Sequence, residues 1–434
     1  DHGVISPGGV GYDINCLDGN AHVLHALGYR RPIRSLDGVL KGERVVCVNP
    51  HQAMRSADIG AFLLTSPTTS VFRVITESGR QIVASADHPF LTKHGMTPLN
   101  ALRLGDEVSV YSFEGVDYET PSSSVIIHEH DLVGIYRGNK NGLAQSITAL
   151  RRRGLLPLQL DHPALPCLIR LMGFIQGDGH LQLDDGGRAQ IGLYGDPDDL
   201  ELLREDVRRV GFIASRVYRR ERPHDIHTRY GRKQFIRKEA SVHIRSSALA
   251  LLLVALGTTK GNKASQDFEA PTWLHDTPLW MRRLYLAAYF GVELTSPVTV
   301  SGHDYNFSAP TLSLNKRVHA VASGKRFLQD IMKWLQDFDV ETTALSERED
   351  SPNKDGSTSI RLRLHISSEP DNLVKLWKRI GYEYNRRKQY LANVAVQYLR
   401  MKQIVVSERA ASVKMSVAMR KVPGGDVAFH YAGD

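Results

Sequence analysis

The chain has 434 residues, a formal net charge of +8, a sequence pI near 9.3 and 42% apolar residues. That length allows two or three domains with ample core, and the basic excess suits a polyanion such as nucleic acid. Three widely separated cysteines (Cys16, Cys47, Cys167) exclude a disulfide framework and a metal-knuckle spacing, and the longest apolar run, 248–256, is too short to span a bilayer. The Gly-rich, polar start is not a signal peptide, and a reducing cytoplasm fits the cysteine usage.

Residues 1–15 read DHGVISPGGVGYDIN. They are turn-rich and carry too little apolar surface to fold alone. Joined to Cys16 they give GGVGYDINC, which resembles the metal-site segment of RtcB-type RNA ligases. The resemblance implies manganese held at Asp13 and Cys16. After Cys16 the ligase-like pattern stops, so the reading is an insertion beginning at the Asn15/Cys16 junction. The chain opens without Met and ends in Gly-Asp, as a fragment of a longer protein would.

Residues 16–135 alternate short β-type runs, such as 43–48, 70–76 and 80–85, with Gly, Pro and Asp, which predicts an all-β domain. Cys16 is a nucleophile candidate, because its thiolate could attack the preceding carbonyl. His88, in Ser85–Ala86–Asp87–His88, is a proton donor suited to neutral pH. Together with the junction, these residues resemble the first and second sequence blocks of an intein with the Hint fold. The resemblance implies that Ser85 and Asp87 assist an N-to-S acyl shift at Cys16, with a flanking extein polypeptide as partner. Ser85 stands where that family usually has Thr.

Residues 136–160 read as a linker with a short helix, 143–152. Beyond it lie two apolar helix-like stretches, Leu171–Met172–Gly173–Phe174–Ile175–Gln176–Gly177–Asp178–Gly179 and Leu286–Ala287–Ala288–Tyr289–Phe290–Gly291–Val292–Glu293–Leu294. Each ends in a carboxylate at the negative pole of its helix, where an anion is disfavoured. Two such carboxylates brought together repel further, and a divalent cation with oxygen ligands removes both objections. Gly173 and Gly177, and Ala287 and Gly291, are four apart, so each pair lies on one helix face and permits close backbone approach. Taken singly, each stretch reads rather as an ordinary core helix followed by an incidental acid, because Gly-Asp-Gly is also a common turn.

As a pair, the stretches resemble the motifs of single-chain LAGLIDADG homing endonucleases, with Met172, Gln176 and Val292 departing from the usual letters. The resemblance covers 161–400. It implies Asp178 and Glu293 as catalytic Mg²⁺ ligands, and Lys263, in LGTTKGNK, as the basic residue near the scissile phosphate. After each stretch the elements read strand, strand, helix, strand, strand, helix, and the similarity of 241–247 to 361–368 predicts an internal duplication. The resulting sheets would follow a DNA groove with Arg216, Arg219, Arg220, Arg232, Lys233, Lys316, Arg361 and Arg363.

The fold expected from the sequence is therefore multidomain. An all-β Hint module is joined to an α+β duplicated (αββαββα)2 endonuclease, and 401–434 form an incomplete C-terminal Hint region without a His-Asn ending. The expected function is an intein-encoded, self-splicing homing endonuclease interrupting an RtcB-type ligase. It would be a magnesium-dependent monomer that cuts double-stranded DNA of the intein-free ligase gene, with no membrane partner and with manganese only in the host ligase. The alternative is a degenerate intein fragment that binds DNA without cutting it.

Overall fold

The computed structural model describes residues 3–4, 16–38, 42–48, 54–63, 70–228, 231–350 and 356–420. The expected Asn15/Cys16 junction is thus described on one side only. Asp13, Asn15 and the part beyond residue 420 of the C-terminal region expected over 401–434 lie outside the described residues.

The helices in chain order are α1 (Glu129–Ile135), α2 (Lys140–Arg151), α3 (Leu165–Gln176), α4 (Pro197–Arg209), α5 (Ser247–Ala255), α6 (Leu279–Glu293), α7 (Val321–Asp337), α8 (Pro370–Lys375) and α9 (Arg386–Arg420). Helix α3 is apolar on every side because every side is covered, and Pro166 in its first turn presets the entry. Helix α6 is buried from Trp280 to Gly291 apart from Arg282. The two helices pack against each other as the centre of the molecule. At the crossing, a Cβ on Gly173 would sit 2.4 Å from the carbonyl oxygen of Tyr285, and one on Gly177 would sit 2.9 Å from Cβ of Val292. Close approach on the α6 side therefore uses Tyr285, Ala288 and Val292. The Ala287/Gly291 stripe faces elsewhere: Ala287 accepts a hydrogen bond from Glu383 N, and a Cβ on Gly291 would meet Glu383 O at 2.0 Å.

Each central helix leads into an antiparallel sheet. After α3, the strands lie in the order His180–Leu183, Ala189–Tyr194, Gly231–Ile244, Tyr218–Thr228. After α6, the order is Thr311–Arg317, Ser359–Ile366, Thr342–Glu349. Alternation turns Ile191, Leu193, Val242 and Ile244 inward on one sheet and Leu312, Leu362 and Leu364 on the other. Helix α4 packs on α3, and α7 packs on α6.

The expected division into an all-β module and a separate α+β domain is corrected. Residues 16–127 do not close into one all-β unit. Their short strands fall into several small sheets, such as Leu17–Asp18 with Gln81–Ser85 and Val71–Ile75, or Val116–Asp117 parallel to Tyr29–Pro32. Runs of two to five residues bury too little on their own, so they share the helical core. Tyr29, Val116 and Ile127 belong to the same continuous apolar cluster as Leu168, Leu284 and Trp334. The ring of Tyr29 lies 5.2 Å from that of Trp280, whose Nε1 donates to Glu119 O at 2.9 Å. The described chain is one mixed α/β assembly with small sheets. Among the described residues, no helix is long and apolar enough to cross a membrane.

Candidate functional site

Helix α3 ends at Gln176, and α6 ends at Glu293. An α-helix leaves its last carbonyls without partners and concentrates partial negative charge there. In both helices a lysine from another segment meets those carbonyls. Lys263 Nζ donates to Ile175 O at 2.7 Å, to Gln176 O at 3.2 Å and to Gly177 O. Lys388 Nζ, from the first turns of α9, donates to Phe290 O at 3.3 Å, Val292 O at 3.2 Å and Leu294 O at 2.5 Å. Asp178 and Glu293 follow these capped ends and share the same two lysines electrostatically.

The electrostatics record the crowding. Burial raises the Glu293 carboxyl to about 7, with Asp178 adding to the rise and the lysines opposing it. Burial likewise raises Asp178, against the pull of Lys263, Lys388 and Arg237. Burial lowers Lys263 and Lys388 to about 8 each, although both carboxylates oppose the drop. Two partly buried acids with raised values beside two partly buried amines with lowered ones make a pattern found at reactive centres. The oxygen donors also fit a hard divalent cation, which would draw both carboxyls back to the ionised state. Among the described residues, no group of three or more His, Cys, Asp or Glu side chains gathers to hold a metal. A cation here would rest on the two carboxylates, with backbone oxygens or water completing its shell.

The supports are built locally. Gln176 is buried and fixes the loop that carries Lys263: its Nε2 donates to Thr259 Oγ1 at 3.2 Å, and its Oε1 accepts from Thr259 N at 3.3 Å. Lys316 does not lie on an open nucleic-acid face. It is fully buried, its ammonium donating to Lys263 O at 2.6 Å and Gln266 O at 2.7 Å over the Phe268 ring. Its alternation along Thr311–Arg317 points it inward. Asn385 orients the other lysine, accepting from Lys388 N at 3.0 Å and donating to Gly291 O at 2.8 Å. Behind both helices, Glu383 takes Arg283 Nη1 at 2.7 Å and Arg170 Nη1 at 3.4 Å.

The remaining basic candidates lie on the sheets. Arg216, Arg219, Arg220, Arg232 and Lys233 are exposed along 216–233. Arg220 pairs with Glu239 at 2.9 Å, and Arg232 donates to Asp225 at 2.8 Å. In the second sheet Arg361 pairs with Asp350 at 2.5 Å, while Arg363 is exposed.

Far along the chain from the paired helices, Cys16 and the 85–88 turn come together. Cys16 N donates to Ser85 Oγ at 3.0 Å, and Ser85 N donates to Cys16 O at 3.0 Å. Ser85 Oγ in turn donates to Asp87. His88 is buried edge-on to Phe90, burial lowers its pKa, and its Nδ1 has no hydrogen-bond partner. Sequence reasoning missed Lys388 and the Arg283–Glu383–Arg170 group.

No family model matches the chain. Proteins named tRNA-splicing ligase RtcB do match it. The Methanocaldococcus jannaschii protein is 33% identical over 422 residues, covering 96% of this chain and 42% of its own. The Pyrococcus furiosus protein is also 33% identical over 422 residues, covering 95% of this chain and 41% of its own. The chain thus spans about two fifths of the length of the curated relatives it matches. A DNA-directed RNA polymerase subunit Rpo1N of M. jannaschii is 30% identical over 342 residues, covering 78% of this chain and 25% of its own.

These matches correct the expected identity. Likeness to the ligase-named proteins does not stop at residue 15 but covers nearly the whole chain. The assignment of everything after Cys16 to an inserted intein with a LAGLIDADG endonuclease is overturned, and its degenerate variant with it. With it go the self-splicing, DNA-hydrolase and magnesium-endonuclease assignments, as do double-stranded DNA and an extein as partners.

Proposed function

We propose that Asp178, Glu293, Lys263 and Lys388 form a divalent-cation-assisted phosphodiester centre acting on RNA, within a segment of an RtcB-type protein. The observation that carries it is the meeting of two acids and two amines at the ends of two packed helices. Extensive likeness to proteins named tRNA-splicing ligase supports RNA as the substrate class. When bound, the cation supplies Lewis-acid polarisation of a phosphoryl oxygen. Asp178 and Glu293 hold it. Lys263 and Lys388, whose N–H groups are held by the helix-end carbonyls, supply fixed positive charge beside the two acids, and fixed charge needs no rearrangement as the reaction proceeds. The exposed arginines of 216–232 are suited to contacting the strand backbone, which makes binding fall with salt.

The test pairs Mn²⁺ titration, read by electron paramagnetic resonance, with an assay for joining or cutting of RNA ends, using DNA of the same sequence as control. Asp178→Asn and Glu293→Gln should each weaken Mn²⁺ binding and stop RNA turnover. Wild-type protein that binds no Mn²⁺ and leaves RNA untouched refutes the proposal.

The match to an RNA polymerase subunit favours a second, narrower reading. The shared segment would be a self-contained nucleic-acid unit carried by differently named proteins, with chemistry that does not depend on the rest of either. Turnover by the isolated 434-residue chain supports it, and a strict need for the remainder of a relative removes it.

A further inference from the structure

A second cluster of charge lies away from the paired helices, around Glu114. This carboxylate meets Lys378 Nζ at 2.7 Å, Arg400 Nη2 at 3.0 Å, Arg80 Nη2 at 3.4 Å and Arg30 Nη1 at 3.4 Å. Apart from Glu114, the only acid paired to any of these four cations is Asp117, 2.7 Å from Arg30 Nε, among the described residues. All four, with Glu114, Tyr111 and Phe113, line a cavity of about 900 Å³. That volume is in the range of small-molecule sites. Four cations against Glu114, Asp117 and Asp18, the last on the cavity wall, leave a local surplus of one positive charge.

Arg80 is the telling member. Its Nε and Nη2 are buried and have no hydrogen-bond partner, because the approach to Glu114 is not aligned for donation. Although a quarter of the Arg80 side chain is exposed, these two buried nitrogens have idle donors, which an anion accepting from them satisfies. Glu114 offers two oxygens to four cations. Burial favours its neutral form, yet Lys378, Arg400 and Arg80 outweigh burial and hold it below its ordinary pKa. A tetrahedral, multiply charged anion offers more acceptor oxygens in the same space, and arginine forks match phosphate geometry.

We propose that this cavity binds a small phosphoryl-bearing ligand, held by Arg80, Arg400 and Lys378 around the place that Glu114 partly fills. The arrangement joins residues 30, 80 and 114 to 378 and 400, so a ligand there also fastens the start of the described chain to α9.

The test is calorimetric titration of the full chain with pyrophosphate at moderate salt. Wild type should bind saturably, with one site. Arg80→Gln and Arg400→Gln should each weaken binding about tenfold or more. Glu114→Gln, which removes the competing charge without changing shape, should tighten it. Arg208→Gln, on the far helix α4, should leave it unchanged. Competition by a nucleoside triphosphate stronger than by inorganic phosphate identifies a nucleotide as the source, and the reverse order identifies free phosphate. Should Arg80→Gln fail to fold, the opposed responses of Arg400→Gln and Glu114→Gln still decide the matter. Absent saturation in wild type, equal loss in Arg208→Gln, or indifference to Glu114→Gln overturns the proposal.

Discussion

Glu293→Gln should make the metal-free protein more stable, not less. The wild-type carboxyl rises from an ordinary 4.5 to about 7, chiefly through burial. At about 1.4 kcal/mol per pH unit, that rise corresponds to a penalty of about 3 kcal/mol for holding the ionised form in the folded state. Because the folded value lies above the unfolded one, the group's favourable contribution is complete below pH 4.5 and is lost as pH climbs through 7. Glutamine keeps the shape of the protonated acid at every pH. Urea denaturation in a chelating buffer should therefore find the two proteins alike near pH 4.5. Near pH 7.5 the variant should lead by about 3 kcal/mol. Adding Mn²⁺ should nearly close that gap, because a cation at about a hundred times its dissociation constant stabilises the wild type alone by about 2.7 kcal/mol. A variant less stable than wild type at pH 7.5 without metal would refute the burial argument, and one equally stabilised by Mn²⁺ would refute the site.

Two further substitutions probe the supports. Gly173→Ala places a methyl group 2.4 Å from Tyr285 O, backbone against backbone, and should cost about 1–3 kcal/mol on thermal denaturation; an unchanged melting curve would mean the helices are farther apart. Lys316→Met keeps the apolar stem on Phe268 but removes both bonds to the Lys263 loop. It should leave Mn²⁺ affinity within about twofold while lowering RNA turnover about a hundredfold through misplacement of Lys263, and equal loss of both would show that Lys316 acts only on stability.

How much of this the sequence discloses depends on range. The two central helices are plain from their apolar runs and small residues, and α4 and α5 fall within a residue or two of the periods seen in the sequence. The long hairpin between Tyr218 and Ile244 is visible only at its ends, because its tip, rich in Arg and His, has no apolar alternation. Lys388 sits in a run of basic residues, Arg386–Arg387–Lys388, and nothing local distinguishes the one that reaches back to α6. Lys316 shows the opposite failure: a charged residue on a strand reads as exposed unless the face it points to is known. The misassigned all-β module has the same origin. Short strands broken by turns announce their secondary structure, but not that Tyr29 and Val116 pack into a helical core contributed by residues far along the chain.

Arg283 is held by carbonyls of Leu27 and Ile380 as well as by Glu383, and Phe113 N reaches Asn393. Stretches separated by more than two hundred and fifty positions thus complete one another. On the ribosome, the segments around residues 27 and 113 must wait for residues 283 and 393 before these contacts can close. Such distant closures slow assembly and lengthen the interval in which unfinished edges lie open to wrong partners.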